Sequence, residues 1–502
     1  MSDFSPGSTR RGDIGLNMGP AQDAPRTMFH PLAVDMLAVA WGVAGCLFAV
    51  FYGASEWPAL VGVMMVSQAF CGRLVWYRFR ETQQAVLPDF LSLLLFSKLY
   101  TKTLTILAVL ANENADSMGS VGAESSSLMM EISYVPMGYQ FQAELVFLTA
   151  TLIFTYLWLW LERGRLLAVW REPPTTAAWQ FYAATILAYF GLGAFGTGFR
   201  ELQGICQNCS LAAIAILLGG SSVYALGSRR SWLAVLALAP VTVQALRSGM
   251  KSQMALVLLP ILLPIFRRRL TIPRLTAIAG VVVLILLFVI PFSNTWRERN
   301  WYRHESVDIA KVASQVSIQW EREGVLQTSI NSTAQWLSRN STSIMGGLVM
   351  EVAQRDGFLG PVLLRNLTVV FIPRFLWPEK PSYAPGAWFT WYLGYASSPE
   401  TATSSTAIML FTELYWMFGA AGMVACTILI TFLLFYVYRH LFRKSGTGPA
   451  YLGGLYCMLM MTPMFEEEST IYVLSSPIIL LVYVAILDRL QKVAFPSLSK
   501  NF

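Results

Sequence analysis

The sequence predicts an all-α polytopic membrane protein of about twelve transmembrane helices, with a large extracytoplasmic helical loop late in the chain. Three observations predict it. Of 502 residues, 55% are hydrophobic and 13% charged, about half the roughly 25% charged residues of a soluble domain. Apolar runs of the ~20 residues that a bilayer core demands recur along the chain. Cationic residues collect on alternate connections between those runs, so the net charge of +7 follows membrane topology and is no nucleic-acid footprint.

The elements follow in order. Residues 1–30 are polar and rich in Gly, Pro, Asp and Arg, which predicts a disordered cytoplasmic tail. Arg10-Arg11 is not followed directly by an apolar stretch, so no cleavable signal is expected. Candidate spans lie near 32–53, 57–77, 88–110, 139–161, 177–197, 208–227, 231–246, 252–266, 274–293, 407–438, 449–464 and 470–487, the seventh, eighth and eleventh being short. Helices 1–9 therefore occupy 31–293 and helices 10–12 occupy 407–488, with the outer loop at 294–406 and a cytoplasmic tail at 489–502.

The connections fix the orientation. Arg73, Arg78, Arg80, Arg163, Arg165, Arg171, Arg229, Arg230, Arg267–Arg269, Arg274, Arg439, Arg443, Lys444, Arg489, Lys492 and Lys500 fall on one side together with Arg10, Arg11 and Arg26. The short connections of the other side carry only Arg200, Arg247 and Lys251. By the positive-inside rule both termini are cytoplasmic, and an even number of spans agrees.

The long segment from Ser293 to Thr406 then lies outside. It holds ten Lys+Arg and nine Asp+Glu, and its Trp296, Trp301, Trp336, Trp377, Trp388 and Trp391 are too apolar to stay solvated. A loop of this length is functional or disordered, and the tryptophans argue against disorder. Val307 to Asp356 reads as two amphipathic helices broken near Gly324. Gly357 to Thr406 reads as an irregular Pro-rich piece on the membrane surface.

Several constellations have the residue types that chemistry needs. Arg247-Ser248-Gly249-Met250-Lys251 places two cations on an outer turn, where an Arg fork and a Lys point charge suit a phosphate or diphosphate; headgroup snorkelling is the alternative. Arg297, Arg299, Arg303 and His304 follow the ninth span, where an anionic headgroup would sit. Lys98 and Lys102 share one face of the third span, and meeting an acid such as Asp35, Asp89 or Glu144 would make them a structural pair. Glu413 lies inside the tenth span as a candidate base, whereas Glu466-Glu467-Glu468 reads as a solvated turn. Cys206-Gln207-Asn208-Cys209 at an outer turn is a candidate disulfide or redox pair. No metal motif, P-loop, GxGxxG or Ser elbow is present in the sequence.

One stretch gives these residues a context. Ile372-Pro373-Arg374-Phe375-Leu376-Trp377-Pro378-Glu379-Lys380-Pro381, followed by Thr412-Glu413-Leu414-Tyr415 and Phe418-Gly419, resembles the O-antigen polymerase (Wzy-like) repeat-unit polymerases, which are related to the O-antigen ligases. The likeness is strongest over roughly 245–420, and the Arg-x10-Gly spacing of some members is not met, since eleven residues separate Arg374 from Gly386. The resemblance implies a GT-C-like enzyme of the bacterial inner membrane. Such an enzyme extends a polyprenyl-diphosphate-linked oligosaccharide on the periplasmic face, without cofactor or metal, among membrane lipids and beside a chain-length regulator and flippase of its pathway.

That chemistry assigns roles. Arg247 and Arg374 would stabilise charge developing on the leaving diphosphate, with Lys251 beside them. Glu413, or His304, would take the acceptor proton. Arg297, Arg299, Arg303 and Lys380 would hold the substrate, and Trp377, Tyr383, Trp388 and Trp391 would stack on sugars. A ligase that hands the glycan to another acceptor is the alternative. A twelve-helix transporter is the reading from a different class, and it would show inverted repeats and midplane polar sites.

Overall fold

The computed structural model describes residues 31–51, 56–81, 90–117, 135–162, 175–194, 200–219, 236–243, 283–302, 307–340, 342–365, 367–372, 385–394, 396–399, 408–445, 449–462 and 468–494. It also describes the single positions 245, 257, 276, 280, 305, 376, 377, 379, 380, 402 and 465. Every regular element among them is helical. The first six are α1 (Pro31–Phe51), α2 (Glu56–Glu81), α3 (Phe90–Ser117), α4 (Met137–Glu162), α5 (Thr175–Ala194) and α6 (Arg200–Gly219). Next come a π-helical turn (Ile285–Val289), α7 (Ile290–Arg297), α8 (Ile309–Glu323), α9 (Val325–Asn340) and α10 (Thr342–Asp356). After them stand α11 (Leu367–Val370), α12 (Pro385–Tyr392), α13 (Leu410–Lys444), α14 (Pro449–Met461) and α15 (Thr470–Ala494).

Among the described residues, four helices are long and apolar enough to cross a membrane: Ala59–Arg78, Met137–Glu162, Leu410–Lys444 and Thr470–Leu490. Asp35–Gly45 and Ala450–Met461 are shorter apolar helices. This is the make-up of a helical membrane protein, in which each backbone N–H must be satisfied within its own helix because lipid offers no partner. Most of the apolar runs 252–266 and 274–282, together with 231–235, 244 and 246, lies outside the described residues.

Aromatic rings bind the core where α3, α4 and α13 meet. Phe90 of α3 stacks on Trp158 of α4 at 4.8 Å between centroids, and Phe435 of α13 meets Trp158 edge-on at 5.2 Å. Phe465 closes on Phe90 at 6.2 Å. Each offset or edge-to-face pair adds about 0.5–1.5 kcal/mol beyond burial. Nearby, Arg78 of α2 holds Glu162 of α4 through two hydrogen bonds of 2.8 and 2.9 Å, the paired geometry that favours Arg for such links.

The two lysines of α3 find the core they require. Lys102 Nζ lies 2.7 Å from Glu144 Oε2 and donates to Thr342 Oγ1 at 3.1 Å. Its ammonium also sits 4.6 Å from the Phe147 ring, while that of Lys98 sits 5.0 Å from the Phe411 ring. Of the three acids considered, Glu144 is the one that pairs with Lys102; Asp35 bonds Arg73 and Tyr77 instead.

Thr342 starts α10, and here the segment read as two amphipathic helices departs from expectation. The break near Gly324 is present, between α8 and α9. Beyond it a third helix, α10, is buried along residues 342–350 and packs on α4. Close approach requires Gly347: a Cβ there would stand 3.0 Å from the Gln140 backbone nitrogen and from Val135 Cγ1. Small residues let apolar helices meet this closely.

Candidate functional site around Glu413

The site is built on a broken helix. Inside α13, Gly419 has φ 70° and ψ −173°, so the helix comprises a short piece, 410–418, and a long one, 420–444. At ~1.5 Å per residue the long piece alone spans a bilayer core of about 30 Å. Breaking the helix frees carbonyls, and the neighbouring segment takes them: Leu359 N–H donates to Trp416 O at 2.9 Å and Gly360 N–H to Met417 O at 3.0 Å. A Cβ on Gly419 would lie 3.1 Å from the Phe358 ring, and left-handed φ favours glycine independently. The short piece begins after Met409, which is buried with φ 62°, a conformation that non-glycine residues hold only under constraint.

Glu413 sits one turn into this short piece and is fully buried. Its Oε2 accepts the backbone N–H of Thr470, the first residue of α15, at 3.0 Å. Its Oε1 has no hydrogen-bond partner among the described residues. A carboxylate at a helix N-terminus is favoured by the unpaired N–H groups and the helix dipole, so the side chain also caps α15.

Three residues beyond Glu413, Trp416 is fully buried under the aromatic rings of α12. Tyr392 lies 5.2 Å, Phe389 5.5 Å and Trp388 6.0 Å from it. Trp391 stands 6.2 Å from Trp388 and is 38% exposed. Of the predicted stacking residues, Trp388 and Trp391 therefore belong to one cluster packed on the Glu413 helix.

Other predicted residues have distinct surroundings. Trp377 is also exposed, and its carbonyl accepts the Lys380 N–H at 3.0 Å. Lys380 is buried, with Nζ donating to Ile372 O at 3.0 Å and Val370 O at 3.3 Å, so its charge is engaged by backbone carbonyls at the end of α11. Arg299 pairs with Glu305 at 2.6 Å, and Arg297 is half-buried at the end of α7. Arg247, Lys251, Arg303, His304, Arg374 and Tyr383 lie outside the described residues.

Two further expectations change. Cys206 and Cys209 are not on a turn: both are free thiols buried within α6, and Cys206 Sγ lies 2.8 Å from Tyr483 Oη. Glu468 is half-buried rather than solvated, and burial pushes its carboxyl up to about 6. Among the described residues no group of His, Cys, Asp and Glu has metal-binding geometry.

Sequence reasoning missed Thr470, Trp416, Asp356 and Tyr392. The partner of Glu413 is 57 residues away, and no local pattern announces such a contact. Asp356 did carry a signal, as an acid beside Arg355 ahead of Gly357 and Phe358.

Fold and site together define a helical membrane protein in which the polar segment between the apolar helices docks onto a broken helix bearing a buried carboxyl. The chain belongs to the family described as Domain of unknown function (DUF8712), which matches residues 177–449, more than half of its length. No curated protein and no solved structure matches it.

Proposed function

We propose that the protein is a Wzy-like glycosyltransferase of the bacterial inner membrane, polymerising polyprenyl-diphosphate-linked oligosaccharide repeat units on the periplasmic face. The reading includes a GT-C-like arrangement of about twelve helices with both termini cytoplasmic. One observation supports it: Leu359, Gly360 and α12, which flank the family-like motif in the sequence, rest on the short helix that holds Glu413, and α12 carries two of the tryptophans assigned to sugar stacking, Trp388 and Trp391.

In this reaction the acceptor hydroxyl oxygen attacks the anomeric carbon of the donor glycan. The bond from that carbon to the diphosphate oxygen breaks, and the lipid diphosphate leaves. Glu413 takes the hydroxyl proton. Arg374 and Arg247, with Lys251, stabilise the charge that develops on the leaving oxygen, a term often worth ~100-fold or more per donor. Arg297, Arg299, Arg303 and His304 meet the anionic headgroup region. The chemistry calls for no cofactor, and a chain-length regulator and a flippase are its natural partners.

The test is to incubate the purified protein in detergent with a polyprenyl-diphosphate-linked repeat unit from its own host and to resolve the products by gel. A ladder of lengthening lipid-linked glycan is expected. Transfer only when a different lipid acceptor is supplied would make it a ligase. Inertness in both assays, with substrate flux in vesicles, would make it a transporter.

A further inference from the structure

At the end of α10, Arg355 holds the carboxylate of Asp356 side-on, Nε to Oδ1 at 2.8 Å and Nη2 to Oδ2 at 2.8 Å. The Tyr392 hydroxyl, from α12, donates to the same Oδ2 at 3.0 Å. The Arg355 hydrogen bond keeps the Asp356 carboxyl below the usual carboxylate range, so it is ionised near neutral pH. Positive and negative charge cancel within the pair. The second amino group of the guanidinium, Nη1, takes no part in it, and the Tyr392 oxygen keeps its lone pairs for an incoming donor.

Exposed rings flank both partners of the Tyr392–Asp356 bond. Phe358 stands two residues beyond Asp356 and is 62% exposed; Trp391 immediately precedes Tyr392. Both lie outside the helices that are long and apolar enough to cross a membrane, and aromatic rings left exposed beside polar groups are a mark of binding surfaces. Flat rings beside planar, paired donors and acceptors suit a sugar. A pyranose presents an apolar C–H face to a ring and a rim of adjacent hydroxyls to a guanidinium or carboxylate.

We propose that Arg355, Asp356, Phe358, Trp391 and Tyr392 form a binding subsite for an uncharged pyranose of a glycan chain. Trp391 and Phe358 supply the stacking surface, Asp356 and Arg355 bind neighbouring hydroxyls, and Tyr392 fixes the carboxylate that does so. That the bound glycan is the acceptor of the transfer rests on the proposed polymerase reading; the sugar site itself does not.

The test uses the full-length protein in nanodiscs and, as probe, the soluble oligosaccharide released by mild acid from the host's own surface polysaccharide. Binding is read by calorimetry, and saturation-transfer NMR on the unmodified protein reports whether the sugar C–H face meets an aromatic ring. Trp391→Ala and Arg355→Ala should each weaken binding roughly 3- to 10-fold, Trp391→Phe should restore most of it, and Lys311→Ala on exposed α8 should change nothing. Equal affinity in both alanine variants, or no saturation transfer, overturns the site. A protein that builds a glycan ladder yet binds no oligosaccharide also overturns it while leaving the polymerase reading intact. Trp391-dependent binding without any ladder removes that reading and keeps the site.

Discussion

Glu413 and Thr470, 57 positions apart, are joined by a 3.0 Å hydrogen bond from the Thr470 backbone N–H to Glu413 Oε2. The bond couples the short piece of α13 to the start of α15, so capping can be tested apart from the proton transfer proposed for the same carboxyl. Glu413→Gln keeps an oxygen acceptor for Thr470, so thermal unfolding in detergent should barely move, while glycan extension should fall ~100-fold or more. Glu413→Ala removes the acceptor as well and should cost about 1–3 kcal/mol of stability. Full extension by the glutamine variant would leave Glu413 with capping alone.

Lys102 and Glu144 form a buried pair at 2.7 Å. Removing one partner strands a charge in the core, so Lys102→Met should destabilise by roughly 3–5 kcal/mol, whereas Lys102→Met with Glu144→Met should recover most of that loss. A double-mutant cycle by chemical unfolding measures the difference; additive losses would argue against a direct pair.

Gly419 combines a left-handed φ with a close neighbour, the Phe358 ring. Gly419→Ala should cost about 1–2 kcal/mol. Adding Phe358→Ala should return only the steric share, because the backbone conformation remains unfavourable. Both shifts can be read from melting temperatures.

Glu468 carries a carboxyl pushed up to about 6 from 4.5 by burial. A raised folded-state value means that stability is fully present below the unfolded value and is lost as pH rises through about 6. Unfolding followed from about pH 4.5 to pH 7 should show that loss. Glu468→Gln should flatten the profile, gaining on the order of 1 kcal/mol near neutral pH and nothing at the acid end. An unchanged slope would show that another group titrates.

Arg374 lies outside the described residues, so its role is tested by function alone. Arg374→Ala should abolish chain extension while membrane levels stay normal. Wild-type glycan lengths in that variant would remove Arg374 from the site.

Composition alone made the helical membrane class legible, because apolar runs of bilayer length have few other uses. The pairing of Lys102 was legible as a short choice among acids, since an intramembrane ammonium demands a partner. The break near Gly324 was legible as well. The burial of α10 was not: its Gly346-Gly347 and apolar positions make sense only once α4 lies against them. The cysteines were misplaced because the start of an apolar helix and a turn look alike when the helix end is polar.

By itself the sequence determined the helical membrane class and that Glu413 occupies an apolar run. Tertiary structure decided the rest. It broke α13 at Gly419, set Glu413 against the start of α15, folded the Trp388 cluster over Trp416 and brought Tyr392 to Asp356. Those contacts join residues tens of positions apart. Periodicity reports only the environment of each residue, buried or exposed, and carries no information about which distant surface supplies it.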